Sequence, residues 1–475
     1  PVVLTPGKQE TAPGFRLAPG VTAGSGLVGL LLPYTGVHHL LLQAVGAPLV
    51  MTSGNRSGEP IARSEAEARA WLPEAADRVL SHDRPIERRC DDSVVRVVGG
   101  RPTLIRRARG FAPRPIRLPR PVRAPMLACG GAWKNAFALV ADDAAWLSPH
   151  VGDLESFEAC RAFDETVADL EALLGIRPQL VAHDLHPAYY PTRYAQARGL
   201  ARVEVAHHHA HAVSVMAEHG LEGPALALVW DGTGLGPDGA AWGGELLRVT
   251  AARFERLATF RPLALPGADR AIEEPWRVAL AALDDIAPGR LEAVRRIARS
   301  PRLAPRAHGV GRFFDAVAAL VLDRGHAAYE GELALALETC AGGDPEAPPY
   351  PYRLGPRRPA GRAEAAAREI DLRPTLRALV AERLAGADPG TMADRFHATL
   401  AAAGAEALCA ARDETGDLPV VVAGGCFQND LLVRGLRDRL EPTHPLHTAL
   451  ELPPGDGGLA LGQAVVADAL MRERP

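Results

Sequence analysis

Residues 225–245 read "ALALVWDGTGLGPDGAAWGGE". An apolar run closes on Asp231, and glycines follow at 232, 234, 236 and 239. A short apolar run ended by Asp-Gly is the pattern of a strand feeding a glycine turn. The same pattern occurs on both sides of it. "PMLACGGAWKNAFAL" (125–139) places Gly130 and Gly131 after an apolar run, with Lys134 and Asn135 just behind. "VVVAGGCFQN" (420–429) places Gly424 and Gly425 ahead of Gln428 and Asn429. Bare backbone N–H groups at such turns can cradle phosphates or let a nucleotide come close.

One such turn alone is commonly just a turn. Three in order, one of them Asp231-Gly232-Thr233-Gly234, match the layout of an actin/hexokinase-like ATPase and point to a nucleotide, with Lys134 set to meet a phosphate or carbonyl oxygen. The surrounding segments agree. "AFALVADD", "QLVAHD" and "RVEVA" are strand-like and separated by amphipathic helices such as "ESFEACRAFDETVADLEALLG", which implies a largely α/β domain. Beyond residue 265 the pattern turns helix-rich, and 341–372 reads as a long loop or insertion. Residues 1–122 read as a separate mixed α/β unit. The Pro- and Arg-rich run 106–125 reads as an extended linker, with the second domain over 123–475.

The run "HHHAHAVSVMAEHG" (207–220) puts four histidines in five positions. On a helix His207 and His211 stand at i and i+4, so their rings share a face and can chelate one ion. His208 and His209 point elsewhere and read as supporting or structural. A carboxylate is the expected third ligand: Asp456 in "PPGDGGLALGQ", with Asp184 and Asp231 as rivals. Two histidines and a carboxylate with open positions suit iron or zinc. In the first unit, "MTSGNRSGEP" offers Thr52, Ser53, Asn55 and Ser57, and Arg88, Arg89, Arg106, Arg107 and Arg109 follow. Hydroxyls with convergent guanidinium groups suit a phosphorylated small molecule. A solvated basic face or a nucleic-acid contact is the alternative.

Composition narrows the classes. The chain has 475 residues, 47% hydrophobic and 23% charged, with a net charge of -4, which gives no electrostatic reason to expect nucleic acid or an anionic membrane. No apolar run reaches the roughly 20 residues of a membrane helix, and the first residues lack a signal-peptide pattern. Six scattered cysteines without a C-x-x-C pair fit a reduced, cytoplasmic setting. Of 53 basic residues only Lys8 and Lys134 are lysine, so a lysine inside a glycine loop is informative.

Taken together, "TSGNRSGEP", "DDSVVR" and "RRARGFAP" resemble the YrdC-like domain. "HHHAHAVSVMAEHG", "DGTGLGPDGAAWGGE", "GRFFDAVAAL", "YEGELALALE", "AGGCFQN" and "PPGDGGLALGQ" resemble the metal-dependent ATPase-like domain shared with the tRNA threonylcarbamoyl transferases. In this order, with "SPHVGDLES" and "HDLHPAYYPT", the chain resembles the HypF family, carbamoyltransferases of NiFe-hydrogenase maturation. The resemblance implies a YrdC-like α/β domain, incomplete at its N-terminal part, followed by a two-lobed actin/hexokinase-like domain. Acylphosphatase and zinc-finger modules, usual in the family, are absent from this sequence.

The implied chemistry makes carbamoyl adenylate from carbamoyl phosphate, ATP and Mg2+. The carbamoyl group then passes to the C-terminal cysteine of HypE for cyanide synthesis. The resemblance assigns His207, His211 and Asp456 to one iron or zinc ion, with Lys134 and the two histidines catalytic. It assigns Gly130, Gly131, Asp231, Gly232, Thr233, Gly234, Asp315, Glu330, Gly424, Gly425 and Asn429 to the nucleotide site. Ser53, Asn55, Arg106 and Arg109 fall to the adenylation site. Glu332 stands where the family pattern leads one to expect glutamine. No nucleic acid or membrane partner is implied, and the chain is expected as a monomer or homodimer. A small-molecule O-carbamoyltransferase of antibiotic tailoring is the alternative.

Overall fold

The computed structural model describes residues 1–7, 17–22, 25–72, 75–283, 296–298, 300, 302–357, 367–441 and 443–473. Three sheets organise them. The first joins β1 (Val2–Pro6), β2 (Leu27–Leu30), β3 (Val94–Val98) and β4 (Arg101–Arg106) in the order β2-β1-β3-β4, with β1 and β3 parallel. Between β2 and β3 lies the helix Gly36–Val45, capped by Thr35, which buries none of its side chains.

The second sheet contains β5 (Ile116–Arg117), β6 (Met126–Ala128), β7 (Ala138–Ala141), β8 (Ala144–Leu147), β9 (Leu180–Asp184) and β10 (Ala201–Val205), in the order β10-β9-β6-β7-β8-β5. The third contains β11 (Ala225–Leu235), β12 (Ala241–Val249), β13 (Phe254–Phe260), β14 (Leu263–Ala264), β15 (Arg306–Ala307), β16 (Arg353–Leu354), β17 (Arg368–Asp371), β18 (Val420–Ala423) and β19 (Leu446–His447). Its main path is β16-β17-β13-β12-β11-β18-β19. Every residue of β9 and β18 is buried, as befits interior strands covered on both faces.

Between these two sheets lie the helices His207–Glu218 and Leu459–Glu473. Residues 207–217 are buried without exception, so the histidine helix has no solvent face and belongs to the core. The helices touch closely: a Cβ on Gly462 would lie 1.8 Å from the Ala210 carbonyl oxygen. One apolar cluster spans β6 to β10, both helices, β11, β12 and β18, which makes the second domain two lobes around a shared seam. The overall class is therefore the expected α/β pair. Among the described residues no helix is long and apolar enough to cross a membrane.

Three expectations need correction. The D-G-T-G segment is not a turn: β11 runs through to Leu235, with a register shift between Trp230 and Gly234. Pairing of Gly234 and Leu235 with β12 keeps it in the ladder, and the chain reverses only around Gly236–Gly239. The run 106–125 is not a free linker. Arg107 is 2% exposed and donates to the carbonyls of Phe111 and Arg114 at 3.1 and 2.7 Å, while β5 pairs with β8. The stretch 341–372 is partly built, since Tyr350 is buried, with its amide on Thr399 Oγ1 at 2.7 Å. Residues 358–366 of that stretch lie outside the described residues.

Candidate metal and nucleotide site

The histidine helix follows β10, and its first two turns point His207 and His211 toward the end of β11. The turn before the last helix brings Asp456 to the same point. His207, His211, Asp231 and Asp456 each offer a ligand atom, all within 4.8 Å of one another. The two imidazole Nε2 atoms face each other at 3.2 Å. Asp231 Oδ2 lies 3.2 Å from His211 Nε2, and Asp456 Oδ1 lies 3.4 Å from it. From His207 Nε2 the same oxygens are 3.7 and 3.5 Å away.

Both rival carboxylates have places, and the places differ. Asp184 stands behind the cluster, with Oδ2 accepting from His207 Nδ1 at 2.8 Å, which fixes the ring's tautomer and leaves Nε2 free to ligate. Asp231 stands inside the cluster beside Asp456. Its Oδ1 accepts from the amides of Gly232 and Gly425 at 2.8 and 3.3 Å, which aims Oδ2 at the histidines. Burial pushes the Asp231 carboxyl up, but the hydrogen bonds and charges of His207 and His211 outweigh it and hold it well below the usual range. Asp456 is held low by the same histidines against its own burial. Burial pushes His207 down, but Asp456 and Asp184 raise it well above its ordinary value. Two ionised carboxylates and two converging Nε2 atoms are a donor set that fits a divalent cation.

Four of the glycine N–H groups are turned into the protein. Gly130 donates its amide to Gln463 Oε1 at 2.8 Å, and Gly424 donates to the Pro454 carbonyl at 2.8 Å. With Gly232 and Gly425 turned to Asp231, these four N–H groups are satisfied inside the protein. What the D-G-T-G glycines permit is close approach: a Cβ on Gly234 would lie 2.6 Å from the His207 ring. Thr233 lies beside it in β11, and Gly131 lies against Asp456.

A cavity of about 340 Å³ opens beside Asp231 and Gly232 and is lined by Lys134, Arg312, Asp315 and Glu330. Its opposite wall comes from the first sheet, with Leu4, Leu27, Arg96 and Ile105. Burial pushes Asp315 up to about 6, although Arg312 opposes the shift. Asn429 borders the cavity, and its side chain also holds the fold: Oδ1 caps the next helix at Leu432 N and Nδ2 meets His397 Nε2. A second cavity, of about 260 Å³, is lined by Ser53, Asn55, Arg89, Arg106, Lys134 and His150. Arg109 is not among its lining residues. Its guanidinium donates to the Cys90 carbonyl, pairs with Asp92 and covers the Tyr34 ring. The arginines that do line it are paired, Arg106 with Asp91 and Arg89 with Glu67 and Glu165. Lys134 borders both cavities, with Nζ on Glu330 Oε2 at 2.7 Å.

Sequence reasoning missed several neighbours. His150, from "SPHVGD", lies in the second cavity, and burial first, then Arg106 and Lys134, pushes its ring down to about 3. Arg312 precedes Asp315 by one helical turn, a spacing visible in "GRFFDAV". Glu245 is fully buried and accepts from the amides of Gly243 and Gly244, each at 2.7 Å, and from Arg256 Nη2 at 2.9 Å. The supporting histidines fit their expected part: His209 Nε2 meets the Thr250 carbonyl at 2.7 Å, and His208 packs between His207 and Trp242.

His308 closes the Glu245 network through Thr259 Oγ1 and gives it a pH signature. Burial first, and the Arg256 charge second, push its ring down to about 4. An unfolded histidine titrates near 6.5. The unfolded chain therefore binds the extra proton first, so this contribution is complete above about pH 6.5 and is lost as pH falls toward 4. We expect up to about 3 kcal/mol of acid destabilisation in that window from this ring. His308→Asn should flatten the curve of urea midpoint against pH there, and an unchanged slope would remove the assignment.

Matches to known proteins fall on the same elements. Residues 121–218 match the HypF Kae1-like domain, and 227–463 match the second subdomain of the carbamoyltransferase Kae1-like domain. Residues 4–108 match the Sua5/YciO/YrdC family, described as telomere recombination. A carbamoyltransferase HypF homolog of Cupriavidus necator is 37% identical over 371 residues, covering 72% of this chain and 91% of the relative. The chain belongs to the HypF carbamoyltransferase family. Carbamoyltransferase HypF2 of Cupriavidus necator is 44% identical, matched by 98% of this chain and 63% of its own length. A crystal structure of full-length HypF in its phosphate- and nucleotide-bound form superposes with a TM-score of 0.92 at 34% identity. That match covers 100% of this chain and 62% of the crystallised one, so the chain spans less than two thirds of these HypF proteins.

Proposed function

We propose that the chain carries the adenylation and transfer steps of a HypF carbamoyltransferase. In the first, water cleaves carbamoyl phosphate to carbamate and inorganic phosphate, and a carbamate oxygen then attacks the α-phosphorus of ATP, with Mg2+ on the phosphates. Pyrophosphate leaves, carbamoyl adenylate forms, and inorganic phosphate is the other product. In the second, the thiolate of the C-terminal cysteine of HypE attacks the carbamoyl carbon. The carbon–oxygen bond to AMP breaks, and the thiocarbamate serves cyanide synthesis for a NiFe hydrogenase.

The observation that carries this reading is that Lys134 forms a wall of both cavities. The Ser53, Asn55 and Arg106 cavity is read as the place of adenylation, and the cavity beside Asp231 as the place of transfer. Passage past Lys134 from one cavity to the other would limit loss of a hydrolysable intermediate to water. His207, His211, Asp231 and Asp456 would hold the iron or zinc, and when bound it supplies Lewis acidity to a phosphate or carbonyl oxygen. Asp184 holds the His207 ring in its ligating tautomer. Lys134 would steady negative charge on the leaving phosphate, and the apolar wall of Leu4, Leu27 and Ile105 would exclude water from the base.

The test is ATP cleavage with Mg2+, with and without carbamoyl phosphate, followed by mass analysis of added HypE. AMP and pyrophosphate that appear only with carbamoyl phosphate, and a carbamoylated terminal cysteine, are expected. ADP as the product, or transfer to a small-molecule hydroxyl with HypE untouched, would overturn the reading.

A further inference from the structure

Arg312 is 2% exposed, yet its guanidinium faces the cavity beside Asp231. It rides on the first turn of the helix Val310–Leu322, which is pressed against β11: a Cβ on Gly311 would lie 2.9 Å from Gly232 Cα. The same packing lays the guanidinium over Gly232, where a Cβ would lie 2.7 Å from Nη2. A guanidinium has five N–H donors and no acceptor. Here Nη2 reaches Glu330 Oε1 at a long 3.3 Å, and Nη1 lies 2.9 Å from Asp315 Oδ2. Neither Nε nor Nη1 makes a hydrogen bond among the described residues. Buried donors are normally satisfied, and leaving them bare costs free energy. Nη2, held only by the long contact to Glu330, is the guanidinium atom that lies over Gly232 at the cavity wall.

Glu330 links this group to Lys134. Its Oε1 faces Arg312 and its Oε2 accepts from Lys134 Nζ at 2.7 Å. It stands just ahead of Gly331, which sits at φ 85, on the connection between two helices, and its side chain is 23% exposed. A carboxylate on a partly exposed connection thus bridges a buried arginine and a lysine that borders both cavities. Two oxygens shared by two cations is the geometry a phosphate offers, and a guanidinium fork fits phosphate oxygens well.

We propose that Arg312 is a ligand of the nucleotide's 5′-phosphate. Glu330 is a placeholder that keeps Arg312 and Lys134 at phosphate spacing until the nucleotide displaces it. The inference deepens the nucleotide reading above and rests on it. Arg312 and Lys134 then take the phosphate together.

The test is calorimetric binding of AMP and of adenosine to the chain as purified. Wild type should bind AMP at least about ten-fold more tightly than adenosine. Arg312→Gln should weaken AMP roughly ten- to hundred-fold, the range of a charged hydrogen bond, and leave adenosine unchanged. Arg312→Lys should recover part of the loss. Glu330→Gln removes the competing charge and should tighten AMP several-fold, which decides the matter even if Arg312→Gln does not fold. Equal weakening of AMP and adenosine in Arg312→Gln, or unchanged or weaker AMP binding in Glu330→Gln, overturns the proposal. Wild type with equal affinity for both ligands also overturns it but leaves a nucleoside site standing, whereas binding of neither removes the nucleotide reading as well.

Discussion

On the proposed metal role, His207→Ala is expected to abolish metal binding at the cluster and to lower carbamoyl transfer by more than about a hundred-fold, since Lewis acidity is worth several kcal/mol. His207 contributes one of two converging Nε2 atoms, and its removal leaves Asp231 and Asp456 facing only His211. Asp456→Ala should act alike by removing an ionised oxygen 3.4 Å from His211 Nε2. Asp184→Asn should do less, because it alters only the partner of Nδ1; such outer partners typically cost 10- to 100-fold in metal affinity or activity. Metal content by elemental analysis, with circular dichroism to check the fold, separates these cases. Full occupancy and full transfer in both His207→Ala and Asp456→Ala would end the metal assignment.

The second large effect is structural. Glu245→Ala should destabilise the protein by about 3–5 kcal/mol, the cost of breaking a buried ion pair from one side. Arg256, itself 6% exposed, would lose the carboxylate at 2.9 Å, and the amides of Gly243 and Gly244 would lose their acceptor. Glu245→Gln should recover part of this, because an amide oxygen still accepts from those N–H groups. The denaturant midpoint measures it. A loss below about 1 kcal/mol would mean that water or Thr259 replaces the carboxylate at little cost.

Much of the second domain was legible because its signals are local. Three strand–glycine units fall on β6, β11 and β18, and the amphipathic run near residue 160 forms Phe157–Leu174 with Ser156 as its cap. The buried residues Ala159, Ala162, Phe163, Val167 and Leu170 follow helical spacing along one face. The arginines of the first unit were less legible. Residue type pointed to convergent phosphate contacts, yet Arg88, Arg89, Arg106 and Arg109 all sit beside carboxylates, a choice made by neighbours distant in sequence. Asn429 lines the first cavity and has a structural part that the sequence did not show. Its position after a glycine pair resembles a ligand loop, while its side chain serves as a helix cap.

The sequence by itself determined the order of strands and helices, and the His207–His211 pair, because four residues along a helix always return a side chain to the same face. Only the tertiary structure decided which carboxylates meet that pair. Asp184, Asp231 and Asp456 come from three separate segments, and packing of the histidine helix between two sheets sends the first behind His207 and the other two in front. The same packing turned the Gly130 and Gly425 N–H groups inward and set the buried Arg312 guanidinium against Glu330 and Asp315 at the cavity wall. Helix spacing is a property of the backbone and is written locally, whereas the partner of a buried polar atom depends on which distant segment the core brings within about 3 Å of it.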